Sequence, residues 1–323
     1  MRKYLLSTSA IAGVALLSTA ALADVTISGS TEFEYQSSDA STATEDGTKM
    51  GTTHEVYINF SNKTDSGLDI AYKTQLDTDG GGVDDNSLHI SGGFGEIILG
   101  NTDGAEDIFA VTPDNLIAEE SDGVLEDTAT ILVDSGSQIT DNAPSKVTYL
   151  LPAMGGLTAG VSLGDSGLTD NSETTEFGAN FTTEAAGGSV TIGYSAATQE
   201  AANQDIDSAI IGASMTTGSL TVAATNVTYE ADGEDISGNS VGFSYALPGG
   251  LKIGALTYKS EDDIDIGEEY TVNQYEAIYP IASGLSAVVT VADFDYKKGS
   301  TSNNATADDR DGTITTLNIK AKF

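Results

Sequence analysis

Val25, Ile27, Gly29, Thr31, Phe33 and Tyr35 alternate with Thr26, Ser28, Ser30, Glu32 and Glu34, so one face of this stretch is apolar and the other polar. The run has period two, the period of a strand. Strands of soluble proteins usually last about five or six residues. About ten residues of clean alternation is what a tilted strand needs to cross a bilayer. After Ala23 no apolar run is long enough for a transmembrane helix. A membrane location therefore requires a closed barrel, in which every backbone N–H and C=O finds a partner.

Repetition strengthens that reading. Seven short connections punctuate the chain: Asp65-Ser66-Gly67, Gly92 to Gly95, Pro152 to Gly156, Ala186-Gly187-Gly188, Thr217-Gly218-Ser219, Pro248-Gly249-Gly250 and Ala282-Ser283-Gly284. Glycine supplies the positive φ of a tight hairpin. Eight longer, acid-rich connections alternate with them, at about 36–53, 77–85, 101–144, 164–173, 197–206, 228–238, 259–268 and 296–312. Fifteen connections imply sixteen strands. The expectation is an all-β fold, a 16-stranded antiparallel transmembrane β-barrel with both termini at the short-turn side. A soluble sandwich would scatter its loop lengths between both ends.

Side-chain alternation assigns the faces. Val190, Ile192, Tyr194 and Ala196 share one face, as do Val241, Phe243 and Tyr245, then Tyr275, Ala277 and Tyr279, and finally Leu317, Ile319, Ala321 and Phe323. These should meet lipid, and the opposite face a wet lumen. Phe33, Tyr35, Phe181, Tyr279 and Phe323 near strand ends read as interfacial belts.

The first 23 residues read as a secretory signal peptide: Arg2 and Lys3, an apolar run from Leu5 to Leu17, then Ala21-Leu22-Ala23. The barrel domain is then 24–323. All 49 acidic residues follow Ala23, and two of the 13 basic residues precede it, so the mature charge is 11 − 49 = −38. Such a chain repels nucleic acid. Two distant histidines, His54 and His89, and no cysteine supply neither a transition-metal set nor a nucleophile–base set, so no enzyme is expected. A repeat adhesin would show a fixed short period, which is absent here.

The segment of about 101–144 is the long irregular interruption, rich in aspartate and glutamate and without lysine or arginine. It is too long for a hairpin loop, and we read it as folding back into the barrel to narrow the pore. The strand count, Val25-Thr26-Ile27-Ser28-Gly29, Thr64-Asp65-Ser66-Gly67-Leu68, Ser91 to Ile97, Gly100 to Ala105, and the closing Lys320-Ala321-Lys322-Phe323 together resemble the trimeric general porins of alphaproteobacteria, the Rhodobacter type. The resemblance covers 24–323. It implies an outer-membrane homotrimer, passive diffusion of small hydrophilic solutes, an inward-folded third loop, and a final aromatic, Phe323, that signals to the outer-membrane assembly machinery.

By position, the constriction candidates are Asp103, Glu106, Asp107, Asp114, Glu119, Glu120 and Asp122. Pore-wall candidates are Glu32, Glu34, Glu55 and Asp69, with Lys73 as the best basic counterpart. In the family, basic side chains face the acidic loop. Here the mature chain has a single arginine, Arg310, placed in the last long loop, and the lumen-facing lysines by alternation are Lys73, Lys146, Lys252, Lys320 and Lys322. The basic cluster is thus depleted, and a net negative, cation-selective passage is expected. A substrate-specific channel is the alternative. Asp77, Asp79, Asp84 and Asp85 around Gly80-Gly81-Gly82 offer oxygens for structural calcium.

Overall fold

A computed structural model describes residues 24–41, 47–77, 82–117, 145–165, 173–185, 187–201, 204–231, 234–264, 267–299 and 309–323. The expected signal peptide lies outside them. Sixteen strands form one closed antiparallel barrel: β1 (Asp24–Ala40), β2 (Gly47–Lys63), β3 (Asp69–Asp77), β4 (Gly82–Gly92), β5 (Gly95–Asn101), β6 (Lys146–Leu150), β7 (Leu157–Asp165), β8 (Glu173–Ala185), β9 (Gly188–Ala201), β10 (Gln204–Thr217), β11 (Leu220–Ala231), β12 (Glu234–Ala246), β13 (Lys252–Asp262), β14 (Glu269–Ala282), β15 (Leu285–Lys297) and β16 (Arg310–Lys322). β1 closes the wall against β16, from Ser30 opposite Lys322 to Ala40 opposite Gly312. The last residue joins the ladder too: the Phe323 amide donates to Gly29 O at 2.9 Å and its carbonyl accepts from the Gly29 amide at 3.3 Å.

The turns follow from local chemistry. At Thr64–Leu68 the Gly67 φ of 87° closes the hairpin, and the Leu68 amide donates to Thr64 Oγ1 at 2.9 Å. Gly95, at φ 109°, could carry no side chain, because a Cβ there would sit 2.2 Å from Leu150 O.

Lipid-facing parity holds on every strand for which it is expected. Ile192, Tyr194, Val241, Phe243, Tyr245, Tyr275, Tyr279 and Leu317 point outward and are exposed, while Gly193 and Ser195 are buried inside. Phe33, Phe181, Tyr279 and the 82 % exposed Phe323 lie on the outer surface. Near the short turns the Phe60 and Tyr72 rings meet at a tilt with centroids 6.2 Å apart, and the Tyr149 hydroxyl donates to Phe94 O at 2.6 Å.

Two expectations need correction. Strands overrun the connections read at 36–53 and 197–206: β1 reaches Ala40, β2 starts at Gly47, β9 reaches Ala201 and β10 starts at Gln204. Seventeen residues of β1 span about 55 Å at about 3.3 Å each, far beyond the roughly 25 Å apolar band. Residues past that band need no apolar face, so the alternation fades while the ladder continues. Arg310 likewise opens β16 instead of lying in a loop; it is buried with its guanidinium 5.2 Å from the Tyr296 ring centre.

The interior is also less uniformly wet than alternation implies. On the inner face of β10–β16, Ile210, Val227, Tyr258, Val272, Phe294 and Tyr296 form a buried apolar cluster, with Ala110 and Ile117 of the long segment packed against it.

Candidate functional site: a strapped loop facing a charged wall

After β5 the chain turns into the barrel. A short helix, α1 (Ala105–Phe109), and a 3₁₀ turn (Asp114–Leu116) carry it along the inner wall. Its buried side chains, among them Ala105, Phe109, Val111 and Leu116, face the wall. The wall receives them with glycines. Gly160, Gly178, Gly193, Gly212, Gly242 and Gly254, all inward on β7, β8, β9, β10, β12 and β13, touch Phe109, Ala105, Val111, Pro113, Leu116 or Ile117. A Cβ on Gly178 would come within 2.4 Å of Ala105 O, and one on Gly212 within 1.8 Å of Val111 O. Strand-interior glycine marks a place where another backbone approaches closely. Six such places in sequence make a track, and the loop runs in it.

Polar straps fix the loop's height. The Ala105 amide donates to Ser162 Oγ at 2.8 Å, which itself contacts Thr148 Oγ1 at 2.8 Å. The Glu106 amide donates to Glu176 Oε2 at 3.0 Å. Lys146 Nζ meets Glu176 Oε1 at 2.9 Å, both side chains being buried. Ser208 Oγ donates to Glu106 Oε1, and Thr225 Oγ1 to Val111 O. With its amide turned to satisfy both neighbours, Asn180 donates to Phe109 O at 2.8 Å and Ala179 O at 3.0 Å.

This geometry sorts the expected constriction residues. Asp103 and Asp107 are exposed, on the side of the loop away from the wall, and Asp114 is half-buried. Glu106 is only 1 % exposed and points into the wall, so it straps the loop and does not line an opening. Lys146 faces inward as alternation implies, but it is buried in its pair with Glu176. Glu119, Glu120 and Asp122 lie outside the described residues.

Opposite the described part of the loop, β16 and β1–β5 present a charged inner face. Glu32 pairs with Lys320 at 3.0 Å, Glu34 with Lys49 at 3.8 Å, and Asp69 with Lys63 at 3.1 Å. Glu55 accepts from Ser30 Oγ at 3.0 Å, Gln75 Nε2 at 3.4 Å and the Tyr57 hydroxyl. Lys73 is exposed. Lys49 and Lys63 were missed because they fell in or beside presumed connections, so the basic side of this wall is less depleted than composition implies. His89 is not isolated either. Its Nε2 lies 3.0 Å from Ser87 Oγ and its Nδ1 2.7 Å from Glu96 Oε1, an arrangement formed across the β4–β5 hairpin that no linear spacing announces. Of the calcium candidates, Asp77 ends β3 and Asp85 lies in β4; Asp79 and the Asp84 side chain are outside the description, and no metal-holding group occurs among the described residues.

A barrel with a loop strapped inside is a pore architecture, and the sequence comparison decides the lineage: the Gram-negative porin family matches residues 7–299. The chain belongs to the Gram-negative porin family. As a member, this porin is an outer-membrane channel protein; the family and fold are those of channels, not enzymes. Solved structures agree on the fold. An anion-selective porin from Comamonas acidovorans is 16 % identical with a TM-score of 0.64, covering 94 % of this chain and 100 % of its own. The Vibrio cholerae outer-membrane protein OmpT is 13 % identical with a TM-score of 0.69, covering 93 % and 98 %. A mutant of the Rhodobacter blastica porin is 18 % identical with a TM-score of 0.65, covering 93 % and 100 %. No curated protein matches the chain by sequence.

Proposed function

We propose that this porin is a general diffusion channel, passing small hydrophilic solutes and ions passively through each barrel of a homotrimer. A trimer form is on record for the OmpT neighbour, and the membrane lipids meet the outward apolar face described above. The observation that carries the reading is the loop held against β7–β13, which leaves the passage to the charged face of β16 and β1–β5. The passage is net negative and cation-selective. Asp103 and Asp107 stand on the loop, and most lysines opposite are matched by carboxylates. That one neighbour is anion-selective means that the barrel itself does not dictate the sign; the charges on its inner face do.

Reversal potentials across planar bilayers test this. Permeability to potassium over chloride should be high at about 0.1 M salt, where the Debye length is about 10 Å, and decline toward 1 M, where it is about 3 Å. Chloride preference at low salt would overturn the assignment. Saturable flux of one solute would favour a substrate-specific channel. Calcium between Asp77, Asp79, Asp84 and Asp85 stays a proposal, answered by trimer melting with and without chelator: an unchanged melting temperature removes it. Phe323 as an assembly signal is answered by outer-membrane yield after its deletion.

A further inference from the structure

The lumen wall on β2–β5 contains a hollow whose floor is Ala71. In the ladder, Ala71 lies opposite Ser61 on one side and His89 on the other. Two residues along β3 on either side stand Lys73 and Asp69, and every one of these positions faces inward. A methyl group surrounded by long side chains leaves a space, here a cavity of about 430 Å³. That is large enough for a small organic solute.

The charges around it are fixed in an unequal way. Lys73, above the floor, makes no ion pair with any described residue. Below the floor, Asp69, Ser91 and Glu96 form one lateral row of three adjacent strands. Asp69 holds Lys63 with both oxygens, each at 3.1 Å, so that pair is closed. Glu96 holds His89 at 2.7 Å through one oxygen only, and is one-third exposed. His89 also meets Ser87 Oγ at 3.0 Å through Nε2. The hollow therefore offers an available ammonium at one end and the second Glu96 oxygen at the other, with the Lys73 Cα about 13 Å along the strand from the Asp69–Ser91–Glu96 row.

We infer that this hollow is a way-station for small zwitterions, holding a solute carboxylate at Lys73 and a solute ammonium at the second oxygen of Glu96. The inference rests on the channel reading above and names a solute class for it. A bare cation lacks the Lys73 contact, a bare anion lacks the Glu96 contact, and a neutral solute gains neither charge-assisted bond.

The test uses the intact trimer in planar bilayers, measuring potassium current against added 4-aminobutyrate, butyrate, butylammonium or 1,4-butanediol. 4-Aminobutyrate should reduce the current saturably, at concentrations roughly tenfold below those needed for either singly charged probe, with the diol inactive. Lys73→Gln should raise the half-blocking concentration roughly tenfold. Ala71→Phe, which fills the floor, should abolish saturation, and Lys298→Gln at the loop end serves as the charge-matched control. Equal effects from all four probes, or saturation that survives Lys73→Gln and Ala71→Phe, would overturn the inference while leaving a conducting channel. A trimer that conducts no ions at all would remove the channel reading and this site with it.

Discussion

The two inner walls of this barrel solve opposite problems. From β7 to β13 the wall gives up side chains: glycines line it where Ala105 to Ile117 press on it, and Ser162, Glu176, Ser208 and Thr225 are buried and hold the loop. From β16 through β5 the wall keeps its side chains, and its carboxylates and lysines stay partly in water. One wall holds a loop and the other meets solute. The difference teaches that a charged residue on the lumen face has no fixed meaning. Lys146 and Lys320 share parity and sign, yet one is a buried bolt and the other an exposed wall charge.

Breaking one bolt should have the largest effect. Lys146→Met leaves Glu176 buried and uncompensated next to the Glu106 amide, which should cost about 3–5 kcal/mol. Lys320→Met removes a pair that is about one-quarter exposed on each side and should cost under about 1 kcal/mol. Denaturant unfolding of the folded barrel separates them, and the Lys146→Met/Glu176→Leu double variant should recover most of the loss. Single-channel conductance supplies a second readout, because a released loop widens the passage. Equal costs at the two lysines would erase the distinction between the walls.

The outer side of the loop-bearing wall comes next. Ile192 faces lipid and Thr191 the lumen on the same strand. Arginine at Ile192 should cost about 2–4 kcal/mol near the bilayer midplane, and at Thr191 much less. Refolding titrations into lipid vesicles measure both. A larger penalty at Thr191 would mean that the barrel is inside out.

Glycine substitutions sharpen the comparison at smaller amplitude. Gly212→Ala must displace the Val111 carbonyl, and overpacking of this kind typically costs about 1–3 kcal/mol. Gly51→Ala on β2 meets nothing within 4 Å and should be neutral, or stabilising by up to about 1 kcal/mol through the unfolded chain. Gly212 is buried under the loop and Gly51 is exposed, so equal costs at the two would mean that the loop does not press on the wall.

How far the sequence announced this depends on which periodicity carried the message. Strand count, antiparallel order, hairpin positions and the face of every tested residue follow from period two and from glycine-marked turns, both local. The inward loop was legible from its length and irregularity. The glycine track was not, although each member could be assigned to the lumen face. Placing Gly160, Gly178, Gly193 and Gly212 at one height requires the stagger between neighbouring strands, which alternation does not encode. The same blindness hid the Lys146–Glu176 pair and the His89 arrangement, because both are made across the ladder. Strand ends were misjudged for another reason: once a strand leaves hydrocarbon, its backbone pairing persists without an apolar face to reveal it.

The smallest effect concerns charge on the wall of β16 and β1–β5. Lys73→Glu changes the passage by two units of charge without touching the loop or its straps. Coulomb energy between exposed charges about 8 Å apart in water is about 0.5 kcal/mol before screening. Reversing the charge shifts cation and anion by about 1 kcal/mol in opposite senses, and screening at about 0.1 M roughly halves this, so the cation-to-anion permeability ratio should change about fivefold. It should be measurable at about 0.1 M salt and vanish near 1 M, where the Debye length falls to about 3 Å. Asp107→Lys on the facing loop should move the ratio in the opposite direction with the same salt dependence. If Lys73→Glu acts and Asp107→Lys does not, the loop stands outside the passage and the wall alone sets selectivity. If both act, the solute passes between them, and the two walls form one electrostatic unit although they are built by contrary rules.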